Sequence, residues 1–189
     1  MGIDLVLKVL FYGWPASEIC LGIITRTRKN SGKLRDRGSM LILWGTITAS
    51  IFAAEWMSSQ TARTLLPGAA WLNWFILLLM IVGLIVRWVA ILSLGKAFSV
   101  NVAIRDAQNL KRSGLYHFAR HPSYTGMMLM FLALGLAQNS WWACLCLLLP
   151  VTAALLYRIH VEEIALNEAF GAEYASYSQQ TKRLIPGIY

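Results

Sequence analysis

The chain has 189 residues, 57% hydrophobic and 14% charged, with a mean hydropathy of +0.54. The length suits one domain, and the composition excludes an ordinary soluble globular protein. A net charge of +8 is then read first against a membrane, where Lys and Arg collect on cytoplasmic loops, and not as a nucleic-acid surface.

Crossing a hydrocarbon core takes about 20 apolar residues. The first such run covers residues 3–24 and contains Lys8 near its start and Glu18 deep inside. It lacks the basic start and small-residue cleavage site of a signal peptide and reads as a retained span. Val6 stands where a myristoylation motif needs Ser or Thr, so the opening Met-Gly is discarded as a lipidation signal. The loop "TRTRKNSGKLRDRG", residues 25–38, carries six basic residues against Asp36 alone and suits anionic lipid. A second span is expected over 39–56, with Glu55 at its watery edge. A third is expected over 71–94, with Arg87 inside it. A polar connector, 95–120, holds Lys96, Arg105, Lys111, Arg112 and Arg120. Short spans over 122–137 and 141–157 follow, joined by "QNS" and therefore expected to pair tightly and antiparallel. Pro150 predicts a kink in the last. The small residues Gly126, Ala133, Gly135 and Ala137 allow close helix approach.

Five spans place the chain ends on opposite sides. Thirteen of 17 basic residues lie in the two long loops and the tail on one side. The positive-inside rule makes that side cytoplasmic and puts the N-terminus outside. Trp56, Trp71, Trp74, Trp141 and Trp142 then form an outer aromatic belt. Cys20, Cys144 and Cys146 sit in apolar runs without metal-site spacing, so no metal is expected. Glu18 and Arg87 fall at similar depth, and charges at such depth are costly unless paired. A Glu18–Arg87 pair is expected; the alternative is an Arg87 that snorkels to the interface.

The chemistry concentrates near the cytoplasmic mouths of the last two spans. "GLYHFARHPSYTG" (114–126) sets polar and aromatic residues directly before an apolar run. Arg158 and Glu162, at i and i+4, share a helix face, as do Tyr174 and Tyr177 at i and i+3. The hairpin brings His121 and Arg158 to the same end. Gly171 after Phe170 reads as a helix stop. Glu163 falls on another face and reads as structural, and packing of the tail accounts equally for Tyr174 and Tyr177.

"GLYHFARHPSYTG", followed by "EEIALNEAFGAEYASY" (162–177) and "TKRLIPGIY" (181–189), resembles the isoprenylcysteine carboxyl methyltransferase family over residues 95–189. "RHPSY" alone also resembles membrane phospholipid methyltransferases and sterol-type reductases. The resemblance implies an all-α integral membrane protein of about five transmembrane helices with a cytosolic C-terminal helical cofactor pocket. One domain would span 1–189, with spans one to three in 1–94 and the catalytic half in 95–189. The methyl donor would be S-adenosylmethionine, leaving S-adenosylhomocysteine, and the acceptor a lipid-borne or prenylated carboxylate met from the membrane lipids. Donor contacts would come from Gln108, Asn109, Leu110 and Lys111, from Tyr116, from His121, Pro122, Ser123 and Tyr124, and from Glu162. Asn101 stands where the family often carries Gln. Arg158 would hold the acceptor carboxylate, and Arg158 with Glu162 would be the catalytic pair. His121 either fixes the turn before Pro122 or bonds the donor.

The chemistry of these residues agrees. A carboxylate is ionised at neutral pH and needs no strong base. The barrier is alignment, which positioning lowers. A guanidinium fork grips a carboxylate in one orientation, and carboxylates and aromatic faces suit a cationic donor. The competing classes are methyl transfer to an amine or other lipid head group, NADPH-dependent reduction, and a non-enzymatic scaffold. Arg158 weighs against an amine acceptor, which gains nothing from a second cation.

Overall fold

A computed structural model describes residues 3–25, 33–34, 38–61, 70–95, 103–104 and 109–189. Their order is α1 (Ile3–Thr25), β1 (Lys33–Leu34), α2 (Ser39–Gln60), α3 (Ala70–Leu94), β2 (Ala103–Ile104), α4 (Leu115–Phe118), α5 (Pro122–Ala137), α6 (Trp141–Phe170) and α7 (Ala172–Gln180). β1 and β2 pair antiparallel, Lys33 opposite Ile104 and Leu34 opposite Ala103. Otherwise the described structure is helical, as expected of an all-α membrane protein. Among the described residues four helices are long and apolar enough to cross a membrane: Leu5–Ile23, Ser39–Gln60, Trp71–Leu94 and Trp141–Phe170. α5, at 16 residues, is a shorter apolar helix.

α3 shows how an apolar helix sorts its faces without a polar side. Leu72, Ile76, Met80, Arg87 and Ala90 are buried at helical spacing, while Leu78, Ile85, Val89 and Leu92 are exposed. Lipid tails solvate the outer face, so the inner one is distinguished by close packing. α3 packs chiefly on α5, and Gly83 and Gly126 make their closest approach. A Cβ on Gly126 would stand 2.6 Å from the Gly83 carbonyl oxygen and 2.7 Å from the Arg87 nitrogen. Gly135 packs on Cys144 of α6, where a Cβ would stand 3.0 Å from the sulfur. The α5–α6 pairing expected from the short turn is present. Yet α6 lies mainly against α2, and α5 mainly against α3. Asn139 takes the left-handed conformation (φ 50°) in that turn, which Asn tolerates. The Ser140 hydroxyl then accepts from the Ala143 N–H at the start of α6.

Glu18 and Arg87 do pair. Arg87 Nε and Nη2 grip the two carboxylate oxygens, and both residues are 6% exposed. Trp14 Nε1 donates to Glu18 Oε1 at 3.0 Å, and Arg87 Nη1 reaches the Ser123 carbonyl at 3.4 Å. Trp14 also meets Phe131 of α5 edge-on, with ring centroids 4.9 Å apart. α1 is thus joined to α3 and α5 by one buried ionic cluster and one aromatic contact.

α6 runs unbroken through Pro150, and its 30 residues span about 45 Å, more than a hydrocarbon core needs. Its last turns therefore extend the hairpin into the polar region. Gly171 ends it at φ 51°, as its sequence position predicts. All five belt tryptophans are exposed, at the ends of α2, α3 and α6. Ser58 bonds the Gln138 carbonyl (3.1 Å) and Thr61 meets Ser140 (2.8 Å), joining the end of α2 to the start of α6.

Candidate active site

At the opposite end of the α2–α6 pair, the segment before α5 is held by the tail. Arg120 N–H donates to the Lys182 carbonyl (2.8 Å) and His121 N–H to the Arg183 carbonyl (2.9 Å), a short parallel pairing. Pro122 occupies the first turn of α5, where its missing N–H costs nothing. Thr125 Oγ1 donates to the Leu184 carbonyl at 2.8 Å. His121 is thereby clamped on both sides, and its ring stacks on Tyr124 with centroids 5.7 Å apart.

Three expected residues meet at one hydroxyl. Tyr124 Oη donates to Glu162 Oε2 at 2.8 Å and accepts from Arg158 Nε at 3.0 Å. Arg158, 3% exposed, also donates from Nη1 to Ser39 Oγ of α2 at 2.9 Å. The Glu162 side chain is 33% exposed, and its Oε1 meets no donor among the described residues. His121 lies between the two glutamates, with Nδ1 3.8 Å from Glu162 Oε2 and Nε2 3.4 Å from Glu163 Oε1.

Glu163 is more than a residue on another face. Its Oε1 accepts from Arg120 Nε (2.9 Å) and Nη2 (2.7 Å), and its Oε2 from Arg183 Nε (2.9 Å). Arg120 also donates to the carbonyls of Ser178 and Thr181. One carboxylate thus ties α6, the His121 segment and the tail together. Opposite charges in "ARHPSY", "EE" and "TKRL" were the available sequence signal for it. Nothing in the sequence signals Ser39.

Tyr116 is buried and its hydroxyl reaches the Ala90 carbonyl at 3.5 Å. Burial, and then the charge of Glu162, push its pKa up, so it stays a neutral donor. Tyr177, pushed up to about 12 chiefly by burial, donates to the Tyr116 carbonyl. Tyr174 and Tyr177 are both buried, with centroids 6.2 Å apart, and pack α7 onto this region. Ser123 is buried and turns its carbonyl to Arg87. Asn109 is exposed, Leu110 and Lys111 are half-buried, and none of the three bonds this cluster among the described residues. Asn101 and Gln108 lie outside the described residues. Arg112 reaches Glu173 of α7 in an exposed ion pair, a contact of small energetic weight.

This constellation can grip an anion with a fixed guanidinium and a cation with a half-open carboxylate, one hydroxyl apart. Comparison with known proteins bears on which chemistry that is. The profile of the isoprenylcysteine carboxyl methyltransferase (ICMT) family matches residues 75–168, about half of the chain, from within α3 to the end of α6. A "Probable protein-S-isoprenylcysteine O-methyltransferase" of Oryza sativa subsp. indica is 26% identical over 186 residues, covering 95% of this chain and 92% of that one. A "Methanethiol S-methyltransferase" of a Pseudomonas strain is 26% identical over 154 residues, covering 78% and 54%. Among solved structures, the eukaryotic intramembrane Ras methyltransferase ICMT superposes with a TM-score of 0.60 at 26% identity. The match covers 77% of this chain and 52% of that one, so this chain spans about half the length of that solved protein. Residues 75–168 contain Arg87, the whole "RHPSY" stretch, Arg158 and Glu162, and the chain belongs to the isoprenylcysteine carboxyl methyltransferase family.

Proposed function

We propose that this membrane protein is a methyltransferase that moves a methyl group from S-adenosylmethionine to the carboxylate of a lipid-linked, isoprenylcysteine-like acceptor. The observation that carries the reading is the Tyr124 hydroxyl, bonded at once to Arg158 and Glu162. It sets an anion-gripping group and a cation-gripping group at adjacent points, the separation that aligning a donor with a carboxylate requires.

The residues fit the donor. Glu162 has one oxygen bonded to Tyr124 and the other without a donor among the described residues, on a side chain 33% exposed, which suits a cationic ligand. When bound, S-adenosylmethionine supplies a methyl group on a positively charged sulfur. Arg158 orients the acceptor oxygen, with its own plane held by Tyr124 and Ser39. No base is required, because the acceptor is already an anion. His121, stacked on Tyr124 between the two glutamates, holds that ring in place or bonds the donor. Tyr116 and the His121–Tyr124 run line the donor side. In this reading Asn109, Leu110 and Lys111 of the connector contact the donor itself rather than the cluster, and Asn101 and Gln108 belong with them.

We read 1–189 as one membrane domain and α5 as a fifth crossing, with the N-terminus outside and the site on the cytoplasmic side, where the basic loops lie. The Arg158–Ser39 bond joins the two halves of the chain, which supports a single domain.

The Pseudomonas relative, named for a thiol acceptor, motivates a second reading in which the acceptor is a thiol. One assay separates them. Purified protein in detergent is given methyl-labelled donor together with farnesylcysteine, whose sulfur is already alkylated and whose carboxylate is free, and a simple alkanethiol as the competing thiol acceptor. The expected product is a methyl ester whose label base releases as methanol. Label retained as base-stable thioether, or found only on lipid head groups, would refute carboxyl transfer.

A further inference from the structure

We propose that Ser39, the first residue of α2, is a positioning residue that presets Arg158 for the acceptor carboxylate; this rests on the role of Arg158 proposed above. Arginine has a long flexible stem, and its fork serves a carboxylate only in one plane. Nε donates to Tyr124 Oη and Nη1 to Ser39 Oγ, and contacts on two different nitrogens hold the fork in one plane. Ser39 is 0% exposed and Arg158 3%, so bulk water does not replace a deleted hydroxyl.

The surrounding fold delivers Ser39 to this place. Gly38 turns the chain into α2 at φ 75°, a conformation costly for other residues, and its carbonyl accepts the Ile42 N–H of the first turn. α2 then packs along α6. The far ends of the pair are joined by Ser58 to Gln138 and Thr61 to Ser140, which fixes their register. Slip between the helices would carry Ser39 off Arg158. Ser39 lies outside the residues matched by the family profile, so part of the support of the central arginine comes from the less recognisable part of the chain. The first half of the protein then bears on acceptor use as well as on membrane anchorage.

The test compares wild type, Ser39→Ala, Arg158→Lys and the double variant, as full-length protein in detergent with farnesylcysteine and labelled donor. Ser39→Ala is expected to lower kcat/KM for the acceptor by about ten- to a hundredfold, the scale of one hydrogen bond to a charged group. Its affinity for S-adenosylhomocysteine should stay within about twofold, because uniform donor binding does not involve the bond. In the Arg158→Lys background the same change should cost little more, since the fork it orients is gone. Undiminished acceptor use in Ser39→Ala overturns the inference. So does an equal loss of donor affinity, which marks general distortion, or an additive loss in the double variant. If Arg158→Lys itself leaves acceptor use intact, the role given to Arg158 fails instead.

Discussion

Arg158→Ala is expected to cut turnover by about a thousandfold, the upper range for removing one preorganised electrostatic contact to reacting oxygen. Affinity for S-adenosylhomocysteine should stay within about threefold, because the loss falls on acceptor positioning rather than on donor binding. The reasoning is geometric. The guanidinium is buried, bonded to Tyr124 on one side and to Ser39 on the other. Glu162 keeps its own bond to Tyr124 when the arginine is removed. Steady-state kinetics with a farnesylcysteine acceptor and titration with S-adenosylhomocysteine, on one preparation, separate the two terms. A collapse of donor affinity in Arg158→Ala would show that the arginine belongs to the donor, and the division of roles would be wrong.

The second large effect concerns folding. Glu18→Leu or Arg87→Leu alone should destabilise the protein by about 3–5 kcal/mol, since each leaves a buried charge without its partner. The pair is bidentate, both members are 6% exposed, and Trp14 adds a third donor to the carboxylate. Replacing both by leucine should recover most of the loss, because no lone charge then remains. Unfolding in mixed micelles measures all three variants. Single variants as stable as wild type would mean that the pair contributes nothing. Arg87 also contacts the Ser123 carbonyl at the start of α5. Its loss is therefore expected to reach the active-site segment as well.

Much of this architecture was legible because bilayers impose simple rules. Apolar length located the hydrophobic helices, and α5 runs over 122–137 as expected, since Pro122 opens it and the "QNS" turn closes it. Matching depth foretold the Glu18–Arg87 pair, because the cost of a charge in hydrocarbon leaves few other solutions. Gly171 announced the end of α6 through its left-handed backbone. Helix partnership was less legible. A short turn says that α5 and α6 are neighbours, but α5 lies mainly against α3. Its Gly126 fits a gap at Gly83, and such complementarity has no pattern along one strand of sequence.

The candidate site was partly legible for a related reason. Arg158 and Glu162 announce themselves by helical spacing, and His121 and Tyr124 by standing directly against an apolar run. Their union through a single hydroxyl is a tertiary fact. The tie of Glu163 to Arg120, His121 and Arg183 depends on the tail returning beside residues 119–121, which no local pattern encodes. Ser39 is separated from Arg158 by 119 positions and is an ordinary helix-start serine until the α2–α6 packing is known.

The most direct test of the account is ligand binding to the purified protein, because every step depends on a donor pocket gripped by Glu162. Calorimetric titration with S-adenosylhomocysteine and with NADPH, on wild type and Glu162→Ala, reads it. Wild type should bind S-adenosylhomocysteine and not NADPH, and Glu162→Ala should weaken that binding by about tenfold or more, as loss of a charge-assisted bond implies. Binding of NADPH in its place, or equal affinity in Glu162→Ala, would contradict the account.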